Sequence, residues 1–509
     1  MSENKIKRFF KHKLFIAFLA GSLCSLAFAP FNFFITSVAS LSIFYSLLTK
    51  ESLKKPIFYL GFFYGFGYFL SGVYWIAISL LVDASQFAWL IPFALTLIPA
   101  ALALYFALFS ITYKFLINKF HFTKNYQKIV SFAICWVLFE ILRSNLFTGF
   151  PWNLLGYSFL FDEAFSQISN IFGIYGLSFL AALSSLIPIL FLKNNYKKDD
   201  KIFAIILILL LFSSFCYGSF SINNTKLEID QNTKLRLVQA NIKQEMKWDI
   251  NQKYQNFLKT ISLTNSKDLS DVKAVIWSET SVPYAIDDDS PKLLEKLKLA
   301  TPPQGMLITG ALRLNYENEE IKNAWNSVFI LNQNGVTNFY DKHHLVPFGE
   351  YVPLQKFLPF INKITDGAIG FSQGSGAHTI EEQGLKISPL LCYEVIFSDE
   401  IIDKKSRPNL LVNLTNDAWF GVSSGPYQHL NMARMRSIEY GISLARVANT
   451  GITAFIDPFG RIVDKIDLNQ EGIIDVNLIK SLPETIYGKY GYIPLLSLLL
   501  LTFILLIFL

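Results

Sequence analysis

Charge is scarce in this chain. Asp, Glu, Lys and Arg make up 17% of 509 residues, against 52% hydrophobic residues and 48 phenylalanines. That balance excludes an ordinary soluble globular protein and fits a chain with many membrane-buried helices. Cysteine is scarce too. Of four, Cys24, Cys135 and Cys216 fall in apolar runs and read as packing residues. Cys392 stands alone in polar surroundings, so no disulfide framework is expected there and a lone thiol is left to explain. There are only six histidines and no Cys/His spacing suited to zinc, so neither a metal nor any other cofactor is expected. His343 and His344 are adjacent, and neighbours on a strand point to opposite faces, which argues against one shared ion.

The apolar residues come in long runs. A hydrocarbon layer of ~30 Å needs roughly 20 apolar residues per helix. Runs near 14–29, 32–49, 56–80, 87–113, 128–146, 168–192 and 202–220 are expected to span, and 491–509 closes the chain. The first two, parted by Ala29-Pro30-Phe31, read as a helical hairpin; a signal peptide is the competing reading of the first. The basic residues fall in alternate segments: Lys5 to Lys13, Lys50 to Lys55, Lys114 to Lys128 and Lys193 to Lys201. The other loops carry only Arg143. Positive segments stay in the cytoplasm, so both termini are expected inside and the long polar stretch outside. The net charge of +6 then needs no nucleic-acid partner. Within the spans, Glu140 is expected to pair with Arg143 one helical turn on, and the Gly61/Gly65 spacing to permit close helix packing. The expected organisation is a membrane domain over 1–222, a polar domain over 233–482 and a last span over 490–509.

The polar domain alternates short β-rich runs with helical stretches. Leu235–Ala240, Ala274–Trp277, Met306–Thr309, Ser327–Leu331, Ile387–Cys392 and Leu410–Leu414 read as strands. Segments 249–264, 290–299 and 425–441 read as helices. That alternation predicts an α/β domain, its strands buried on both faces. Three strand ends carry reactive groups: Glu279 after Trp277, Lys342 after Tyr340-Asp341, and Cys392 after Pro389-Leu-Leu. Loops at strand ends form the crevice of such sheets. A thiol needs a base to become a nucleophile, a buried carboxylate can serve, and a fixed ammonium can steady an oxyanion. Taken singly, Glu279 reads equally well as a helix cap, Lys342 as a surface charge and Cys392 as a small buried hydrophobe.

Taken together, these segments resemble the nitrilase (carbon–nitrogen hydrolase) superfamily, with its Glu-Lys-Cys triad in an α-β-β-α sandwich. The likeness is closer to one branch, the apolipoprotein N-acyltransferases, and covers nearly the whole chain. It is carried by Val238-Gln-Ala-Asn-Ile242 with Lys247-Trp248, by Leu345-Val-Pro-Phe-Gly-Glu350 after Lys342, and by Cys392-Tyr393-Glu394. Asn416 to Gly421, Gln428-His429, Met432-Ala-Arg434, Arg446, Asn449 to Ile452 and, in the apolar half, Gly149-Phe-Pro-Trp152 to Gly156-Tyr157 extend it. Ser278 stands where the branch usually has Pro, and Ala240 where it has Gly. Both put local backbone geometry in question rather than the chemistry.

The resemblance implies Glu279 as general base, Lys342 as oxyanion-stabilising cation and Cys392 as nucleophile. It implies Glu350, Tyr393 and Glu394 as supporting residues, and Trp248 and Trp419 at a lipid entrance. The implied reaction moves the sn-1 acyl chain of a phospholipid, typically phosphatidylethanolamine, through a Cys392 thioester. The acceptor is the α-amine of a diacylglyceryl-cysteine on an apolipoprotein. The expected setting is the bacterial inner membrane with the catalytic domain periplasmic, and the expected state is a monomer. Segment 354–371, apolar with Gly367 and Gly370, reads as a lipid gate or as an amphipathic helix packed on the sheet. Two rivals remain: a membrane-tethered amidase acting on a small C–N substrate, and a transporter with an outer sensing domain.

Overall fold

The computed structural model describes residues 3–191, 198–286, 290–318, 320–353 and 370–508. Most of the segment read as a lipid gate, 354–369, lies outside them. The chain divides into two compact units, residues 1–225 with 485–509, and residues 226–484.

The first unit is helical. Among the described residues four helices are long and apolar enough to cross a membrane: Ala84–Lys119, Asn125–Asn145, Ser169–Leu190 and Lys198–Asn224. Lys54–Gly72 and Tyr74–Leu81 form a further pair, bent by 46° at Val73. Phe34–Thr49 and Ile493–Phe508 are shorter apolar helices. Ser169–Leu190 is almost wholly buried and lies inside the bundle, whereas Lys198–Asn224 leaves Ile205, Ile208, Leu209 and Phe212 bare. An apolar surface of that kind suits hydrocarbon rather than water. Gly61 and Gly65 do allow close packing. A Cβ on Gly61 would stand 2.4 Å from the Phe106 carbonyl oxygen, and one on Gly65 3.0 Å from the Ala103 Cα.

Two sequence expectations change here. Glu140 and Arg143 are both buried but form no ion pair. Each holds the loop that follows its helix instead. Glu140 Oε1 accepts from the Leu155 amide at 2.7 Å and from Trp136 Nε1 at 2.9 Å. Arg143 donates to the carbonyls of Phe150 and Trp152. The unpaired peptide groups of an irregular buried loop outcompeted the one-turn neighbour, because each buried N–H and C=O needs a partner. Cys216 is exposed rather than packed; Cys24 and Cys135 are buried.

Among the described residues the second unit holds two six-stranded sheets. In chain order the strands are β1 (Ile229–Gln239), β2 (Ala274–Trp277), β3 (Met306–Glu317), β4 (Glu320–Asn332), β5 (Gly335–Asp341), β6 (Ile380–Glu382), β7 (Leu385–Leu391), β8 (Leu410–Thr415), β9 (Leu444–Ala448), β10 (Thr453–Ile456), β11 (Ile462–Ile466) and β12 (Gly472–Ile479). The sheet orders are β12-β1-β2-β3-β4-β5 and β11-β10-β9-β8-β7-β6. β1, β2 and β3 run parallel, as do β7, β8 and β9.

Period-two alternation builds the layers. Leu235, Leu237, Ala274, Ile276 and Ile308 of one sheet share a core with Ile387, Leu391, Val412, Leu414 and Val447 of the other. The alternate residues Val238, Val275, Trp277 and Leu307 face outward against Phe257, Ile261 and Leu297 of the helices Lys253–Thr264 and Pro291–Lys298. Helix Gly425–Tyr440 is buried along most of its length and packs beside β9 and the turn after β7. Double burial explains why the central strands read as unbroken apolar runs. Just beyond the ends of β1 and β9 the two sheets are tied by polar groups: Asn449 Nδ2 donates to the Ile242 carbonyl at 2.7 Å, and the Ile242 amide to Asn449 Oδ1 at 3.0 Å.

Candidate active site

β7 delivers Cys392. The strand ends at Leu391, and a 3-10 turn over Cys392–Ile396 follows. Cys392 has φ +50°, a left-handed conformation rare for a side-chain-bearing residue and typical of strained functional positions. Glu394 closes this turn, its Oε2 accepting from the Leu391 amide at 2.7 Å. Its other oxygen accepts from the His343 amide at 2.7 Å, the His344 amide at 3.2 Å and the Tyr340 hydroxyl at 2.9 Å. One buried carboxylate therefore joins the thiol's turn to the loop that carries Lys342. It is held below the usual carboxylate range: burial pushes it up, and the hydrogen bond and charge of His343, the Leu391 amide and the Lys342 charge together more than offset this.

Glu279 follows β2 and Lys342 follows β5, and both are buried. Lys342 Nζ lies 2.9 Å from Glu350 Oε1 and 3.9 Å from Glu279 Oε1. Asn326 of β4 bridges the two carboxylates, its amide nitrogen 2.8 Å from Glu279 Oε1 and 3.2 Å from Glu350 Oε1. Lys247 Nζ donates to the Glu279 carbonyl at 2.9 Å. Burial alone would favour neutral Lys342, but the flanking Glu350 and Glu279 hold its ammonium charged. Burial raises Glu279 above the ordinary carboxylate value against the pull of Lys342, which makes it a better proton acceptor. Burial, reinforced by Glu279, pushes the Cys392 thiol up to about 12. The sulfur thus rests protonated and needs a base before it can attack. Lys247 is lowered by burial to about 8.

The sequence-predicted residues do not all meet. Glu279, Lys342, Glu350, Glu394 and Cys392 form one buried cluster linked by hydrogen bonds and charge. Tyr393 is also buried, its ring edge-on to Phe397 at 5.1 Å and to His344 at 5.8 Å. Trp248 and Trp419 are half-buried, and the hydrogen bonds of the described residues do not reach their rings. His343 and His344 converge after all. His343 Nε2 and His344 Nδ1 lie 3.1 and 2.8 Å from the same Glu400 oxygen. β5 has ended at Asp341, so strand alternation no longer applies to them.

Asn326 was not anticipated, although an Asn inside Trp325-Asn-Ser-Val-Phe-Ile is a polar interruption of a buried strand. Lys247, Asp417, His429 and Arg446 belonged to recognisable motifs without a stated task, and Thr415, between a strand and a motif, was not anticipated. Gly310 gave no signal. On β3, a Cβ there would stand 2.4 Å from the Thr280 amide nitrogen and 2.8 Å from Glu279 Cα. Gly310→Ala should displace Glu279 while the sheet still forms. The expected loss of acyl transfer is about a hundredfold, the size of effect attached to a misplacement of ~1 Å. Steady-state rates with a thermal melt check this, and an alanine variant at wild-type rate would refute the packing argument.

Two stacked sheets that gather a thiol, an ammonium and two carboxylates at their strand ends define a carbon–nitrogen hydrolase-type domain, and residues 234–485 match the family described as carbon-nitrogen hydrolase. Residues 20–187 match the apolipoprotein N-acyltransferase N-terminal domain. Over 501 residues the chain is 39% identical to the apolipoprotein N-acyltransferase of Rickettsia typhi, covering 97% of each. With the protein of that name from Rickettsia bellii it shares 40% identity over 96% of this chain and 95% of the relative, and with that from Rhodopseudomonas palustris 36% over 94% and 92%. The chain belongs to the apolipoprotein N-acyltransferase family.

Proposed function

We propose that this protein transfers an acyl chain from a phospholipid to the N-terminal amine of a diacylated apolipoprotein. The observation that carries the reading is the buried constellation of Cys392, Glu279 and Lys342, joined to a helical unit rich in apolar surface. Glu279 takes the Cys392 proton as the sulfur attacks the sn-1 ester carbonyl. Lys342 faces the oxyanion that forms. Collapse gives a Cys392 thioester, and the lysophospholipid leaves with the proton returned by Glu279. The α-amine of the diacylglyceryl-cysteine then attacks the thioester, passing its proton to Glu279 as the thiolate is released. Glu350 helps by holding Lys342 in place at 2.9 Å. Glu394 and Tyr393 shape the nucleophile's turn. Trp248 and Trp419 stand where a lipid would enter.

The alternating basic segments support eight spans, cytoplasmic termini and a periplasmic catalytic domain in the inner membrane. Both substrates would then lie in the outer leaflet. Phosphatidylethanolamine is the proposed donor, and the protein works as a monomer without cofactor. The test supplies phospholipid labelled in its sn-1 chain together with a diacylated lipopeptide. Label is expected on the peptide amine and lysophospholipid should appear in equal amount. Label released only as free fatty acid, with the peptide unmodified, would instead fit a hydrolase and overturn the reading.

A further inference from the structure

Behind the nucleophile lies a buried group of side chains with no task in the steps above. Thr415, the last residue of β8, places Oγ1 3.2 Å from Cys392 Sγ and 3.0 Å from Asp417 Oδ1. Asp417 Oδ2 receives Arg446 Nη2 at 2.6 Å. His429, on the helix Gly425–Tyr440, faces the Cys392 carbonyl oxygen with Nε2 at 3.1 Å. Its Nδ1 lies 2.9 Å from Asp417 Oδ1 and 3.1 Å from Arg446 Nη2. Thr415, Asp417, His429 and Arg446 are all buried.

Hydrogen-bond counting assigns the protons. A carbonyl oxygen only accepts, so His429 carries hydrogen on Nε2. Burial and then the Arg446 charge hold His429 below its ordinary value. Asp417 Oδ1 has lone pairs for two donors, so it accepts from the Thr415 hydroxyl beside its contact with His429 Nδ1. Burial raises Asp417, but Arg446 and His429 bring it down to about 2, so it is an ionised acceptor throughout the working range. A threonine hydroxyl has one proton, and here two acceptors stand within reach of it.

We propose that the Thr415 hydroxyl is a two-position donor for the reacting sulfur, aimed at Asp417 while Cys392 holds its proton and turned onto Sγ when the sulfur becomes an anion. The proton that leaves sulfur goes to Glu279; Thr415 keeps its own and only rotates. Asp417 stays compensated by Arg446 during the turn. The same donor serves when aminolysis expels the thiolate, so both halves of the reaction use it. His429 is a positioning residue, since its Nε2–H fixes the carbonyl of a residue held at φ +50°. The ionic groups acting on the sulfur are Glu279, Lys342, Asp417 and, more weakly, Lys247. Thr415 adds a neutral donor from β8, the parallel neighbour of β7, which Lys342 cannot replace because it follows β5 in the other sheet.

The inference rests on Cys392 being the nucleophile, so its test is read without substrate. The full-length protein in detergent is treated with iodoacetamide between pH 6.5 and 9.5, and modification of the Cys392 peptide is followed by mass spectrometry. Thr415→Val keeps the shape and removes the hydroxyl, and should slow alkylation about tenfold at each pH, the equivalent of about one unit in the thiol's proton affinity. Thr415→Ser restores the donor and should react within about twofold of wild type. Valine reacting at the wild-type rate, or serine as slowly as valine, overturns the proposal. A wild-type protein that reacts as expected here yet takes no acyl group from phospholipid would count against the nucleophile reading alone.

Discussion

Cys392→Ala is expected to take up no acyl group and to transfer none. Wild-type protein incubated with phospholipid should gain the mass of one acyl chain on the peptide containing Cys392, and the alanine variant should not. The loss in turnover is expected at about 10⁴-fold or more, since removing a nucleophile leaves only binding and oxyanion stabilisation. At about 1.4 kcal/mol per factor of ten this is at least ~5 kcal/mol of barrier. Cys392→Ser should be nearly as poor. The proposed mechanism already calls on Glu279 because burial pushes the thiol up to about 12, and a hydroxyl is far harder to deprotonate. Cys24, Cys135 and Cys216 are internal controls, being free thiols of the helical unit. Undiminished lipoprotein acylation by the alanine variant would end the thioester account.

Lys342→Met should be the second large loss, in both rate and stability. Lys342 Nζ sits 2.9 Å from Glu350 and 3.9 Å from Glu279, with about 1% of its side chain exposed. Methionine leaves two buried carboxylates sharing one Asn326 amide group. Breaking a buried ion pair typically costs about 3–5 kcal/mol because a charge is stranded. The domain can relieve the strain by protonating one carboxylate, since two neighbouring like charges raise each other's proton affinity. A protonated Glu279 is no base. On the proposed mechanism, loss of the oxyanion partner adds a further factor of about 10²–10³. The expected result is a fall of about 10³-fold or more, a lower melting temperature, and residual activity that rises with pH as Glu279 is forced to ionise. Lys342→Arg should not rescue, because a planar guanidinium cannot replace a compact ammonium between two carboxylates. A methionine variant within tenfold of wild type would show that the charge at residue 342 is not needed.

Much of the catalytic unit was legible because burial on both faces leaves a continuous apolar signature. Ala274–Trp277 was delimited as it stands in the fold. β5, β6, β11 and β12 escaped because part-exposed edge strands such as Ile462–Ile466 carry mixed side chains and read as loop. The buried β9 and β10 were also not read as strands, being runs of only five and four residues that include the polar Arg446 and Thr453. Glu279, Lys342 and Cys392 could be picked out because each is a reactive group at the end of an apolar run. Asn326 could not, since its importance comes from β4 lying between β3 and β5, a matter of strand order rather than of local sequence. Gly310 was silent for a similar reason: what it avoids is a backbone from another strand end. The Glu140–Arg143 pairing failed because helical spacing says who is near, and not which loop peptide groups compete for the same atoms.

The joint made by Glu394 has a consequence for how this enzyme can be altered. Because a single side chain anchors both the segment around residue 343 and the turn around residue 392, neither can be exchanged for a distant homologue's version by itself. A chimera that grafts one of them inherits a mismatch at the other, whereas grafting both along with residue 394 keeps the pair in step. The two segments are in that sense one inherited part, carried at two places in the chain.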